Sequence, residues 1–109
     1  MTDFFTIAKD RAGFEPERAT KVDLFRGSGL FVGLNAFEPG QGQAVHAHRG
    51  ADKIYFIISG RAVMTVGGES REAGAGTVIW APADVPHGVD RALERTLMLV
   101  AIAPPPPAR

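Results

Sequence analysis

From Lys21 to Ile102 the chain is cut every few residues by glycine, proline or aspartate, and no uninterrupted stretch is long enough for a stable helix. The pieces between the cuts are rich in Val, Ile, Leu and Phe, the composition of strands. Candidate strands are 21–26, 30–38, 43–48, 53–58, 61–66, 69–73, 77–81, 85–91 and 95–102. Gly67-Gly68 is a two-residue hairpin turn, since both central positions accept positive φ. Short strands at this spacing predict an all-β sandwich or small barrel.

At 109 residues the chain has room for one domain. Residues 1–20 read as an irregular or edge-strand lead-in, 21–103 as the β-domain and 104–109 as a proline-rich tail. Phe4, Phe5 and Phe14 in the lead-in are expected to cover one mouth of the core, to reach a partner, or simply to pack on the surface. The four prolines of the tail cannot donate ladder hydrogen bonds, so a stiff, solvated polyproline II segment is expected.

Twelve basic residues balance twelve acidic ones, which removes the electrostatic footprint of a nucleic-acid binder or a polybasic membrane surface. No apolar run approaches the roughly 20 residues of a membrane span. The first ten residues lack a signal-peptide layout, so a cytoplasmic protein is expected. With no cysteine, any metal must be held by nitrogen and oxygen.

Two segments, 54–58 and 97–102, are apolar at every position instead of alternating. A strand buried on one face alternates, so a second sheet or a second copy of the chain is expected to cover their other face.

The three histidines lie in two glycine-bounded segments. His46 and His48 are two apart on a strand, so they face one side, about 7 Å apart along the backbone. His87 follows the turn at Pro82–Asp84. An isolated buried histidine is ordinarily a hydrogen-bonded core residue; three that converge suit a single metal.

The segments resemble the two cupin motifs. In the first, Gly40 is followed after five residues by His46-x-His48, then by position 53 and Gly60. In the second, Gly76 is followed by Pro82 and His87. The resemblance spans about half of the chain. It implies a jelly-roll β-barrel (a double-stranded β-helix), frequently a homodimer, binding iron, manganese, nickel, zinc or copper inside the barrel through three histidines and a glutamate. His46, His48 and His87 are then the metal-ligand candidates.

Three positions depart from that pattern. Asp84 stands where a glycine is usual, and Arg91 where an asparagine often closes the second motif. Lys53 occupies the glutamate position. An ammonium about 5 Å from a divalent ion is repelled by about 6–7 kcal/mol at an effective dielectric near 20. Lys53 is therefore expected to be neutral near the site and able to act as a base, or to swing away and pair with Asp52 or Asp84, or to weaken metal binding.

If Lys53 points inward, alternation turns Tyr55 and Ile57 inward with it, and Tyr55 could present its hydroxyl to a ligand. Phe37, Trp80 and Met98 are candidate cavity walls, Gln41 and Gln43 candidates for the barrel mouth, and Arg91 for a carboxylate contact. The sequence thus points to a metal-dependent enzyme acting on a small organic molecule by dioxygenation, isomerisation or a lyase reaction, with Lys53 and Tyr55 as catalytic candidates. The alternative is a non-catalytic module binding a sugar or organic acid, in which Lys53 supplies the charge.

Overall fold

Nine strands form where the turn residues leave room for them: β1 (Thr20–Arg26), β2 (Phe31–Phe37), β3 (Gln43–His46), β4 (Asp52–Ser59), β5 (Arg61–Val66), β6 (Glu69–Gly74), β7 (Val78–Ala81), β8 (His87–Ala92) and β9 (Thr96–Ala103). The structure, a computed structural model, describes residues 3–107. Its one helical segment among these is a single turn, α1 (Ala8–Arg11), within the lead-in. No helix among them is long and apolar enough to cross a membrane.

The strands build two antiparallel sheets, ordered β1-β2-β9-β4-β7 and β3-β8-β5-β6. Their inner faces enclose a core that includes Phe37, Tyr55, Ile57, Met98 and Val89, each at most 1% exposed. This is the double-stranded β-helix, or jelly-roll barrel, that the sequence resemblance implied.

Register decides which side chains meet inside. Across the first sheet Lys53 is opposite Ile102, Tyr55 opposite Val100, and Ile57 opposite Met98. On the far side of β9, Asn35 lies opposite Met98 and Lys21 opposite Asn35. Lys53, Tyr55 and Ile57 are all buried and Ile54 and Phe56 are partly exposed, so β4 alternates although every residue from 54 to 58 is apolar or aromatic.

The outer face of this sheet is covered at one end only. Leu34, Ala36 and Leu97 form a second cluster there, packed against Ala8, Ala12 and Phe14 of the lead-in. The cover is thus neither a second sheet nor an edge strand, but a short helical turn and its flanks. Phe4 and Phe5 cover no mouth of the core; they are 78% and 84% exposed. The tail also departs from expectation. Pro105 and Pro106 are partly buried, and the Pro106 carbonyl accepts a hydrogen bond from Arg26 Nη1 at 2.6 Å.

Candidate metal centre

The second sheet carries the histidines. His46 ends β3 and His87 begins β8, and the two are direct cross-strand partners. The strands can approach this closely because residue 88 is glycine; a Cβ there would meet Gln43 O at 2.8 Å and the Val45 backbone at 2.9 Å. His48 lies beyond the end of β3, not on it as the sequence implied. Its carbonyl accepts the Asp84 N–H at 3.0 Å, which ties this segment to the turn before β8.

The three imidazoles converge. Ring centroids are 5.0 Å apart for His46 and His48, 4.6 Å for His46 and His87, and 5.1 Å for His48 and His87. One nitrogen from each lies within 4.8 Å of the others. His46 Nδ1 is 2.9 Å from Ala44 O and His87 Nδ1 is 3.1 Å from Val85 O. A carbonyl only accepts, so each of these Nδ1 atoms carries a proton, and in the neutral ring Nε2 is the nitrogen that keeps its lone pair.

His48 Nε2 and His87 Nε2 are buried with no hydrogen-bond partner. Burial, then the Lys53 charge, hold His48 at a pKa of about 4, and burial also lowers that of His87. Neutral imidazoles with unused, converging nitrogens are the donor set a first-row divalent ion takes. Single core histidines would have found hydrogen-bond partners.

Lys53 stays inside. It is 3% exposed, and its Nζ lies 4.5 Å from the centre of the Tyr55 ring. It does not swing to the two aspartates proposed from sequence. Asp52 accepts the Ala83 N–H and Asp84 accepts the Gly50 N–H, and no ion pair among the described residues includes Lys53. Burial, helped by Lys21, lowers its pKa to about 8. The Tyr55 ring stands edge-on to His87 at 6.0 Å, its hydroxyl buried without a partner and pushed up in pKa by burial, so it remains a donor.

His46, His48 and Lys53 line a cavity of about 240 Å³, together with Lys21, Asn35 and the tail residues Pro106 and Pro107. Asn35 and Lys21 were missed in the sequence, although Asn35 is the one polar side chain in the run F-V-G-L-N-A-F. Of the other candidates, Phe37 and Met98 are core, while Trp80 faces outward at 63% exposure and Arg91 is exposed. Gln41 bonds the backbone at Glu38 and Glu15. Gln43 is partly buried, with its Oε1 unpartnered.

Residues 33–103 match the family model described as Cupin domain. The chain belongs to the cupin family. This cupin is 35% identical over 95 residues to an uncharacterized protein of Streptomyces coelicolor, covering 84% of this chain and 90% of that one. Among solved structures it is similar to TT1209 from Thermus thermophilus, with 37% identity, a TM-score of 0.88 and coverage of 94% and 98% of the two chains. An RmlC-like cupin from Desulfovibrio desulfuricans superposes with a TM-score of 0.82 at 26% identity, over 97% and 99% of the chains.

Within the cupin pattern, Asp84 takes the glycine's place at φ 68°, a left-handed conformation that aspartate tolerates better than most residues. Lys53 is the departure that alters the site's charge.

Proposed function

We propose that this cupin is a metal-dependent enzyme acting on a small organic molecule, with His46, His48 and His87 as the metal ligands. The observation that carries the reading is the pair of buried, unpartnered Nε2 atoms of His48 and His87, converging with His46. Three imidazoles leave coordination positions open, as catalytic sites require. Iron, manganese, nickel, zinc or copper, when bound, supplies a Lewis acid or redox centre for a dioxygenation, isomerisation or lyase reaction.

The chain's own groups do the rest. Lys53, with its pKa near 8, is mostly charged at neutral pH and orients the bound molecule, and its minor neutral form can take a proton as a general base. Tyr55, buried behind the cavity wall, holds the Lys53 ammonium against its ring. The surrounding apolar wall excludes water and strengthens both contacts.

Elemental analysis of protein purified without added metal tests the reading. Stoichiometric first-row metal, lost in His87→Ala, is expected. A site that stays empty when each of the five metals is supplied sinks it.

The second reading is a non-catalytic binding module in which Lys53 supplies the charge for a small ligand. The observation favouring it is that Lys53 is buried with no carboxylate partner among the described residues. Lys53→Glu separates the two. For an enzyme with a weakened metal site, it raises metal affinity by at least about tenfold, since it removes one repulsion and adds one attraction. For the module, it abolishes ligand binding and leaves metal uptake absent.

The protein's partner is a second copy of itself, seated on the uncovered outer face formed by Ile54, Phe56, Val78 and Trp80. The charge balance of twelve basic against twelve acidic residues favours neither nucleic acid nor a membrane surface as a partner.

A further inference from the structure

Opposite the histidines, the first sheet presents polar groups that the metal centre leaves unused. Lys53 and Asn35 are each 3% exposed. Lys53 has no ion pair among the described residues, and Asn35 Nδ2 has no acceptor. Lys21, the cross-strand neighbour of Asn35, lines the same cavity. Burying an ammonium and an amide donor without acceptors costs free energy, which the Tyr55 ring beside Lys53 offsets only in part. The wall holds two lysines against one acidic residue, Asp23. All the unused groups on this side are donors, and what they lack is an anionic acceptor.

We infer that Lys53 and Asn35, backed by Lys21, form a carboxylate subsite, so that the molecule bound beside the histidines is a small organic acid. One carboxylate oxygen accepts from Lys53 Nζ and the other from Asn35 Nδ2. The body of the acid lies between that pair and the histidines, against Phe31, Val100 and Ile102. The cavity, at about 240 Å³, is smaller than the roughly 300–1,000 Å³ that takes a drug-sized ligand, which limits the acid to a few carbons. Phosphate fits less well, because its additional oxygens would face these apolar side chains. Lys53 thereby has two uses: it positions the acid by charge, and once a metal is bound beside it the acid screens one cation from the other.

The inference rests on the metal-centre reading for the acid's other end, but its test reads the lysine side separately. Acetate, lactate and succinate, their neutral amides, and inorganic phosphate are titrated calorimetrically into the protein as purified, with metal content assayed on the same samples. At least one acid is expected to bind below millimolar, its amide at least about tenfold more weakly. Lys53→Met and Asn35→Asp should each lower the acid's affinity about ten- to hundredfold. Lys53→Arg should recover part of it, and Lys53→Met should keep or gain metal.

Equal binding of acid and amide overturns the proposal. So does tighter binding of phosphate, failure of all three acids, or unchanged affinity in Lys53→Met. Loss of metal together with acid binding in Lys53→Met also overturns it, since the lysine would then be part of the metal centre. Empty histidines in a protein that still binds the acid through Lys53 defeat the metal reading and leave the subsite standing.

Discussion

A lysine held at 3% exposure and shifted from 10.5 to about 8 is a stability cost as well as a chemical device. Below both values the unfolded chain and the folded chain carry the same proton, and the folded state bears the full penalty, about 3 kcal/mol. Between about pH 8 and 10.5 only the unfolded chain keeps that proton, so the penalty fades as pH rises. His48 acts in the same sense at lower pH. Its folded value of about 4 lies below the ordinary 6.5, so stability is lost as pH falls from 6.5 toward 4. For metal-stripped protein the melting temperature is therefore expected to climb across both windows. In Lys53→Met the upper climb disappears, the lower one remains, and the variant is more stable at pH 7 by about 1–3 kcal/mol. A flat melting profile between pH 8 and 10 in the native chain would contradict this placement of the lysine. Strand geometry placed Lys53, Tyr55 and Ile57 on one face, but left open whether Lys53 stays inside. It could not show Asn35 and Lys21 nearby, because that proximity depends on the β1-β2-β9-β4 register, and cross-strand register between distant segments leaves no local trace.

Among the elements, the two motif segments are held together by a clasp of aspartates. Asp52 accepts the Ala83 N–H at 2.9 Å and Asp84 accepts the Gly50 N–H at 3.1 Å, while Asp84 N–H reaches His48 O at 3.0 Å. The loop carrying His48 and the turn leading to His87 are thereby fixed to each other. Asp84→Ala both strains a position at φ 68° and removes the Gly50 bond, and is expected to cost about 2 kcal/mol. Asp84→Gly keeps the backbone conformation and loses only the side-chain bond, about 1 kcal/mol. Denaturant unfolding measures both, and metal affinity should fall in each variant because the clasp, not a ligand, has been loosened. Equal losses in the two variants would show that the backbone conformation carries no cost. At the turn after β4 a glycine has no substitute. Gly60 sits at φ +91°, and a Cβ would meet Arg95 O at 2.2 Å, so Gly60→Ala should destabilise by several kcal/mol, of order 3. The strands themselves were legible from turn residues. The path of the tail was not: proline content announces an extended segment, but what the segment lies against depends on Arg26, which is 80 residues away from Pro106.

Over the whole molecule, the outer face of the first sheet divides into two parts. The lead-in covers Leu34, Ala36 and Leu97. The other part stays open: Ile54 is opposite Trp80 and Phe56 opposite Val78 in the β4–β7 pairing, at 38%, 63%, 36% and 61% exposure. These four cross-strand neighbours form one apolar strip on the outside of the barrel. The other edge strand of this sheet, β1, carries Lys21, Asp23 and Arg26, and β6, an edge of the second sheet, carries Glu69, Arg71 and Glu72. Charges of that kind keep exposed edges from pairing. β7 reads V-I-W-A and has none, and neither has β3 at the edge of the second sheet; of these two uncharged edges β7 coincides with the uncovered strip. The unbroken apolar sequence of 54–58 announced that some cover was needed, and Trp80, which the sequence offered as a cavity wall, belongs to the strip instead. A twofold axis would set the strip against its own copy, burying each tryptophan without requiring any other protein. Size-exclusion chromatography with light scattering is expected to give twice the chain mass for the native protein and the single-chain mass for Trp80→Glu. Trp80 is the only tryptophan in the chain, so the emission maximum of the native protein should move to longer wavelength on dilution as the dimer separates. A native protein that is monomeric at millimolar concentration, with emission independent of dilution, would leave the strip without a second copy.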